Sequence, residues 1–275
     1  MRTIVITGAS SGVGREAARH LAAACDNRLI LVGRNRERTN AIASELGAQA
    51  IVADFARLDD VRALAEQLRG ERIDVLANNA GGLFDGPKIT DDGYELTFQV
   101  NHLAPMLLVH ELLPQLFDSN ARVIATSSMA NVLFGRPALD DIQGLNKFDQ
   151  HRAYGNAKLA NLIFAQELHR RYHPRIATCS FHPGVVASNF SRDTGSWMRK
   201  FYESRLIKPF GISDVQGGEN LAYFIDGTPG IAWQSGEYYG DRRKAGFKHP
   251  FARKPDQSAK HFEICSSLLG IEWPA

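Results

Sequence analysis

Short apolar runs alternate with longer amphipathic patterns along the first two thirds of the chain. Six runs rich in apolar residues are bounded by turn-forming residues, which is typical of buried parallel strands. They cover residues 3–7, 28–33, 48–54, 73–79, 121–128 and 175–184. The apolar residues between the first four runs have helical spacing, which predicts helices over residues 14–25, 36–46 and 58–69. This alternation predicts an α/β Rossmann fold, with a doubly wound, mostly parallel sheet and helices on both faces.

Length and composition then narrow the classes of protein. The 275 residues contain no linker or low-complexity tract, which favours one domain over residues 1–275, although the length would also permit two. The formal net charge of +2 gives no general attraction to nucleic acid. The apolar runs are too short for a membrane span or a signal-peptide core, so we expect a cytoplasmic protein. The three cysteines lie far apart without metal-ligand spacing, so we predict reduced thiols and no metal site.

A glycine-rich loop follows the first predicted strand and leads into a helix. Its spacing is Gly-x-x-x-Gly-x-Gly, which departs from the Gly-x-Gly-x-x-Gly fingerprint of dinucleotide sites. It still meets the same physical needs: a tight turn, close approach of backbone to phosphate, and close packing of helix on strand. A glycine turn without a ligand is the alternative. We predict a pyrophosphate site formed by Gly8, Ser10, Ser11, Gly12, Val13 and Gly14.

The end of the second predicted strand indicates which dinucleotide would bind. An NAD site commonly places a carboxylate there, on the ribose 2′-hydroxyl, but this chain has Arg34. Arg34, Arg36 and Arg38 crowd the start of a helix whose dipole disfavours cations, and a 2′-phosphate would resolve that conflict. We therefore predict NADP(H) in preference to NAD(H), with three solvated arginines as the alternative. At the third run, Asp54 and Phe55 would border the adenine, although a turn-forming Asp54 fits equally well.

Tyr154 precedes Lys158 by four residues, so the two side chains share one face if the segment is helical. A free phenol titrates near pH ~10, and a neighbouring ammonium lowers its pKa, which makes the tyrosine a usable acid or base. Taken alone, such a pair is far more often a surface accident. The pair gains weight from polar residues that end the fourth and fifth runs, because those strand ends face the same crevice.

Taken together, these motifs resemble the short-chain dehydrogenase/reductase family. The resemblance rests on the loop at 8–14, "NNAG" at 78–81, "VNH" with Asn101, Ser128, Tyr154-x-x-x-Lys158 and "HPGVVAS" at 182–188. It covers the whole chain. The segments "AYGNAKLANLIFAQEL", "HPGVVAS" and "SGEYYGD…FEICSSLLG" are most similar to the retinol-dehydrogenase-like branch.

The resemblance implies a role for each matching residue. Tyr154 would be the general acid that protonates a carbonyl oxygen, and the base in the reverse direction, while Ser128 would hydrogen-bond that oxygen. Lys158 would lower the pKa of Tyr154 and hold the nicotinamide ribose, and Asn101 would support a water relay. The residues implied to line the cofactor are Asn79, Ala80, Gly81, Pro183, Gly184, Val186 and Ser188, the last replacing the family's usual threonine.

Two apolar segments bear on the substrate. Residues 188–212 would form a lid over the reacting end, and the connection 129–150 is predicted to be an extended loop that forms the opposite wall. That wall would use Val132, Leu133, Phe134 and Leu145. Such a pocket favours a small apolar carbonyl compound or its alcohol, although the same residues could instead pack on the sheet or on a second subunit of a homo-oligomer.

Two other functions remain open at this stage. A reductase of a conjugated carbon–carbon double bond can be built on the same scaffold. A catalytically silent dinucleotide-binding regulator would keep the glycine loop but tend to lose the tyrosine or the lysine, and this chain keeps both.

Overall fold

Nine strands are present in a computed structural model that describes the whole chain except residues 25, 187–210 and 241–242 and the side chains of 185–186. They are β1 (Arg2–Thr7), β2 (Asn27–Gly33), β3 (Gln49–Val52), β4 (Val75–Asn78), β5 (Arg122–Thr126), β6 (Ala177–Phe181), β7 (Val185–Val186), β8 (Gly211–Ile212) and β9 (Tyr238–Tyr239). Seven of them form one parallel sheet in the order β3-β2-β1-β4-β5-β6-β9, and β7 pairs with β8 separately.

Helices cover both faces of this sheet. The α-helices in the described chain are α1 (Gly12–Ala22), α2 (Arg36–Leu46), α3 (Leu58–Gln67), α4 (Leu96–Phe98), α5 (Ala104–Glu111), α6 (Leu113–Asp118), α7 (Ala130–Leu133), α8 (Gln150–Tyr172), α9 (Asp214–Asp226) and α10 (Pro255–Leu269). A π-helical turn, Gln99–Leu103, joins α4 to α5, and a 3-10 turn, Pro250–Arg253, precedes α10. Among the described residues, no helix is both long enough and apolar enough to cross a bilayer.

The strands are apolar along their length because each sheet face is buried under helices. On β1, Val5 packs into the core beneath α3, α5, α8 and α10, whereas its neighbours Ile4 and Ile6 pack beneath α1 and α9. Successive side chains of a strand point to opposite faces, so both sets are removed from water. This explains why the strands read as continuous apolar runs rather than as alternating ones.

The structure confirms the predicted fold class, and most of the predicted element bounds agree with it to within two residues. The predicted helix 36–46 has the same bounds as α2. At its start the Asn35 side chain accepts a hydrogen bond from the amide of Arg38 at 2.9 Å, and at its end Gly47 has the left-handed conformation. The third strand ends at Val52, two residues before Asp54. The seventh sheet strand, β9, was not predicted, because two residues are too few to show a strand period.

The connection 129–150, which was predicted to be an extended loop, contains the short helix α7 near its start. The amide of Ala130 donates to Ser128 Oγ at 3.1 Å and so starts the turn. Helix α7 also packs tightly on α8 at Gly155, where a Cβ would lie 2.8 Å from the carbonyl oxygen of Ala130 and 2.7 Å from the amide nitrogen of Gly135. The absence of a side chain at Gly155 therefore allows the segment carrying Ser128 to lie directly on the helix that carries Tyr154.

Candidate active site

The glycine loop lies against the ends of β1 and β4. Gly8 has φ +68°, and a Cβ there would lie 2.8 Å from the Cα of Ala80. At Gly14 a Cβ would lie 2.4 Å from the carbonyl oxygen of Gly8. Both positions therefore exclude a side chain, which keeps the loop backbone and the start of α1 close together. Within the described chain, the Ser11 side chain makes no capping hydrogen bond to α1, and the first turn carries no acidic residue, so its amides suit an anion.

Asn79 links three strand ends beneath this loop. Its side-chain amide donates to the carbonyl of Thr7 at 3.0 Å, and its Oδ1 accepts from Thr126 Oγ1 at 3.3 Å. The hydroxyl of Thr7 accepts the amides of Asn79 and Ala80, both at 3.0 Å. The predicted residues Asn79 and Ala80 are thus fixed in position by Thr7, a residue that the sequence analysis did not single out.

The end of β2 places Arg34 beside the same loop. The amide of Ala9 donates to the carbonyl of Val32 at 3.0 Å, which draws the loop to this strand. A Cβ on Gly33 would lie 3.1 Å from Ser10 Oγ, so the serine is adjacent to the strand end. Arg34 itself is exposed. The structure therefore places Ser10 next to the strand end after which Arg34 follows, where the adenosine ribose was predicted to bind.

The two residues predicted to border the adenine behave differently from each other. One carboxylate oxygen of Asp54 accepts the amide of Ala56 at 3.0 Å, which is the turn-forming arrangement. Its backbone amide donates to Asp60 at 3.0 Å. Phe55 has its side chain in the apolar core, 4% exposed, so its backbone is the part that could border a cofactor.

Lys158 lies buried on α8 with its ammonium 5.5 Å from the centre of the Tyr154 ring. Its side chain is 2% exposed, and Nζ donates to the carbonyl of Thr126 at 3.2 Å. Burial lowers the pKa of Lys158 from 10.5 to about 7, because desolvation penalises the charged form. The hydroxyl of Ser127 donates to the Lys158 carbonyl at 2.7 Å and ties the helix to the end of β5.

Asn101 reaches the same place from the π-helical turn. A Cβ on Gly81 would lie 2.3 Å from Asn101 Oδ1 and 3.1 Å from Lys158 Nζ, so both polar groups converge on that glycine. The Asn101 amide donates to the carbonyls of Gly82 and Thr97, each at 2.8 Å. A π-helical turn is a rare departure from α-helix that occurs frequently at functional sites. Here it turns Asn101, fully buried, toward the crevice.

Ser128 is held by a neighbour that the sequence analysis missed. Asn131 is fully buried, and its side-chain amide donates to the Ser128 carbonyl at 2.6 Å and to the Tyr238 hydroxyl at 3.3 Å. The only sequence signal for this role is a polar residue within a short apolar helix. Together with the contact at Gly155, this hydrogen bond fixes the turn that carries Ser128.

The structure describes only some of the residues that were predicted to line the cofactor after β6. Pro183 accepts the side-chain amide of Asn220 on its carbonyl at 3.0 Å, and Gly184 has φ +114°. Val186 lies in β7, but its side chain is outside the described residues, as is the whole of Ser188. The same is true of the predicted lid up to residue 210, whereas residues 211–212 form β8.

A second buried cluster lies behind the site. One ring nitrogen each of His102 and His261 and the sulfur of Cys265 lie within 4.8 Å of one another. Burial lowers the pKa of His102 to about 4 and of His261 to about 3, and raises that of the Cys265 thiol. Aromatic rings surround the two histidines. We assign no metal to this cluster, and the absence of a metal site stays a prediction.

Comparison with known proteins identifies the chain's relatives. The profile of the short chain dehydrogenase family matches residues 2–199. The chain belongs to this family. The match includes the glycine loop, Asn101, Ser128, Tyr154 and Lys158, so the motif-based resemblance is confirmed.

Individual relatives of this short-chain dehydrogenase extend the match over nearly the whole chain. A protein of Streptomyces sp. (strain C5), assigned as a daunorubicin C-13 ketoreductase, is 40% identical and covers 98% of this chain and 93% of its own length. Retinol dehydrogenase 12 of Mus musculus is 34% identical and covers 99% of this chain and 87% of its own. An uncharacterised protein of Mycobacterium paratuberculosis, known from a crystal structure, is 27% identical to this chain and superposes with a TM-score of 0.78. The match covers 100% of this chain and 96% of that protein's chain.

These matches establish the general class of reaction. The protein is an oxidoreductase of the retinol-dehydrogenase-like branch, acting on carbonyl or alcohol groups of small compounds with a nicotinamide dinucleotide.

The buried ammonium gives a test of stability against pH. Between pH 7 and 10.5 Lys158 is protonated in the unfolded chain but neutral in the fold, so deprotonation favours folding and stability rises with pH. The variant Lys158→Met lacks the titrating group. We therefore expect the difference in free energy of unfolding, wild type minus variant, to increase by about 1.4 kcal/mol per pH unit in this window. Urea unfolding of both proteins measures it, with the exposed Lys260→Met as the control. A difference independent of pH would contradict the burial of the charge.

Proposed function

We propose that the protein is an NADP(H)-dependent oxidoreductase that interconverts an apolar aldehyde or ketone and its alcohol, with Tyr154 as general acid and base. The observation that carries the proposal is the convergence of Lys158 and Asn101 at Gly81, with the Lys158 ammonium over the Tyr154 ring. The predicted cytoplasmic location and homo-oligomer stay predictions.

The chemistry assigns one task to each side chain. The Tyr154 hydroxyl donates its proton to the carbonyl oxygen of the substrate, and Ser128 donates a hydrogen bond to the same oxygen. The Lys158 ammonium favours the phenolate that remains, and Asn101 holds the path by which a proton from solvent replaces the one transferred. A nicotinamide cofactor, when bound, supplies or accepts the hydride.

Several residues suit the phosphate end of such a cofactor. The two crowded glycines and the uncapped start of α1 leave backbone amides for a pyrophosphate. Ser10 and Arg34 would meet a 2′-phosphate, the serine through its hydroxyl and the arginine through a charge-assisted pair. The preference for NADP(H) rests on this pairing, since β2 ends without a carboxylate.

Replacement of the proposed proton donor, Tyr154, tests whether turnover is lost while cofactor binding is kept. We expect Tyr154→Phe to retain the fold and the affinity for cofactor but to lose roughly 10²- to 10⁴-fold in turnover, because only the acidic hydroxyl is removed. Steady-state rates with NADPH and a carbonyl substrate, together with cofactor titration by fluorescence, measure the two effects. Near-normal turnover in this variant would remove Tyr154 from the mechanism.

Cofactor choice is tested at Arg34. We expect the wild type to bind NADPH more tightly than NADH by roughly tenfold to 150-fold, the equivalent of one charge-assisted hydrogen bond of ~1.5–3 kcal/mol. Arg34→Asp should abolish or reverse that ratio, because a carboxylate repels the 2′-phosphate and can accept a 2′-hydroxyl. Arg69→Asp, an exposed position beyond the end of α3 and outside this arginine cluster, serves as the charge control. Equal wild-type affinities for the two cofactors would disprove the preference.

Support for an apolar substrate comes from the site entrance and from the relatives. Leu133 follows Ser128 by five residues and is 58% exposed, and Leu145 in the same connection is 41% exposed. We take these leucines as part of the substrate-binding surface, because their connection links Ser128 to the helix that carries Tyr154. The relatives' names refer to a daunorubicin ketone and to retinol, and retinol is a largely apolar alcohol.

A series of aldehydes of increasing chain length tests this substrate class. Each buried methylene should favour the longer aldehyde by ~0.8 kcal/mol, or roughly fourfold in kcat/KM, until the pocket is full. Leu133→Ala should flatten the series. Ile231→Ala should not. Ile231 is 85% exposed, and it follows residues 225–227, whose carbonyls contact Arg122 at the amino-terminal end of β5, the opposite end of the strand from Ser128.

The same assay distinguishes the other two functions. With an enone substrate, reduction of the carbon–carbon double bond instead of the carbonyl would indicate the alternative reductase. Tight NADPH binding without turnover of any compound across a broad carbonyl and alcohol panel would indicate the silent regulator.

A further inference from the structure

A buried polar network continues behind the Lys158 ammonium. The carbonyl oxygen of Thr126 accepts two side chains of α8, Lys158 Nζ at 3.2 Å and Asn161 Nδ2 at 3.1 Å. Asn161 follows Lys158 by three residues, so both lie on the helix face that meets the end of β5. The other end of the Asn161 amide, Oδ1, lies 3.2 Å from His102 Nδ1. His102 in turn follows Asn101 directly in the π-helical turn.

The protonation of His102 fixes the direction of these hydrogen bonds. Its side chain is 2% exposed, and burial lowers its pKa to about 4, so it is neutral near neutral pH. Because the Asn161 amide nitrogen donates to Thr126, its oxygen faces His102, and the imidazole must donate from Nδ1. Nε2 is then the unprotonated nitrogen, and it has no hydrogen-bond partner among the residues that the structure describes. The Asn161 amide is thus oriented at both ends.

The Thr126 carbonyl depends on such side-chain partners because it lies at the end of the sheet. On one side, β4 pairs with β5 only as far as Ala125. Thr126, the last residue of β5, lies beyond this ladder, although on the other side it still pairs with Phe181 of β6. Because its carbonyl has no partner in the β4 ladder, side-chain donors help to hold its direction, and Asn161 is the donor that is not itself a predicted catalytic residue.

We propose that His102 and Asn161 are positioning residues, which hold the Thr126 carbonyl as the hydrogen-bond acceptor of Lys158 and so set the place of the ammonium beside Tyr154 and Asn101. His102 acts on Asn161, and Asn161 acts on the carbonyl. The consequence for catalysis rests on the proposed function, but the state of Lys158 can be measured without any turnover.

The groups that face this network provide a matched control. From α10, the His261 ring lies 5.7 Å from the His102 ring, centre to centre, and its Nδ1 lies 3.7 Å from Cys265 Sγ. Tyr154, on α8, is the titratable group beside Lys158. His261 is a buried imidazole in the same region as His102, but its Nδ1 contacts Cys265 and not Asn161. Its removal should therefore affect packing without affecting the Thr126 carbonyl.

The direct experiment measures the pKa of Lys158 in the cofactor-free protein. Protein labelled with ¹³C at the lysine ε-carbon is titrated by NMR, and the Lys158 signal is assigned by its loss in Lys158→Met. We expect His102→Leu and Asn161→Leu each to lower the pKa of Lys158 by about half to one pH unit, because the ammonium loses a well-directed acceptor. His261→Leu should leave that pKa unchanged. His102→Asn should restore it, since its amide nitrogen can replace Nδ1 as the donor.

Binding and rate measurements provide the second readout. In His102→Leu and Asn161→Leu we expect NADPH affinity and kcat each to fall about threefold to tenfold, with the KM for the carbonyl substrate unchanged. If a leucine variant fails to fold, the same measurements are made on Asn161→Ala, and His102→Asn is compared with His261→Leu.

Three results would overturn the proposal: an unchanged or raised pKa of Lys158 in the network variants, an equal change in His261→Leu, or no rescue by His102→Asn. Failure of the proposed function would look different. In that case the wild type would turn over no carbonyl compound while the pKa of Lys158 still responded as expected.

Discussion

The burial of the Lys158 ammonium against one backbone carbonyl is the constraint on which the reacting end depends. Removing a charged group from water costs several kcal/mol, whereas one hydrogen bond to a charged group returns ~1.5–3 kcal/mol. The Thr126 carbonyl alone therefore cannot keep the ammonium charged, which agrees with a pKa lowered to about 7. Further partners must complete its surroundings. Groups that could serve as hydrogen-bond partners of the ammonium are Tyr154, the polar groups near Gly81 and the hydroxyls of a bound ribose.

Rigid elements hold those partners in place. Helix α8 supplies Tyr154, Lys158 and Asn161 along 23 residues of continuous helix, and its N-terminal half packs on the strand ends and on α7. A functional group on a regular element keeps its position more precisely than one on a loop. The groups that do lie on turns, Ser128 and Asn101, are each tied down by hydrogen bonds of buried side-chain amides. The precision of the site therefore comes from amide side chains as much as from helices.

The sequence predicted the parts of the molecule that have local signals. Short apolar runs, the capped helix 36–46 and the motifs at 8–14 and 154–158 each show their character within a few neighbouring residues. Apart from the contact of Asn131 with Ser128, the residues that were missed act over long separations along the chain. Asn161 meets His102 across 59 positions, and Thr7 meets Asn79 across 72. No periodicity encodes such pairs.

Even so, a weak signal was present in the sequence. His102 is a polar residue at the start of a long apolar stretch, and Asn161 lies on the buried face of a helix at the spacing that places it beside Lys158. A buried polar side chain needs a partner, so each of these positions called for one. What the sequence could not supply was the identity of that partner, which depends on how the sheet brings β5, α8 and the π-helical turn together.

The short outer strands of the sheet also limit how copies of this protein can associate. One edge, β3, has four residues, and the other, β9, has two. Outside β9 the chain folds back: Tyr239 bridges to Ala245, and the amide of Gly246 donates to the Tyr238 carbonyl at 2.8 Å. An exposed strand edge is a template for pairing with another chain, and these edges are short or already covered. Self-assembly by continuation of the sheet is therefore disfavoured.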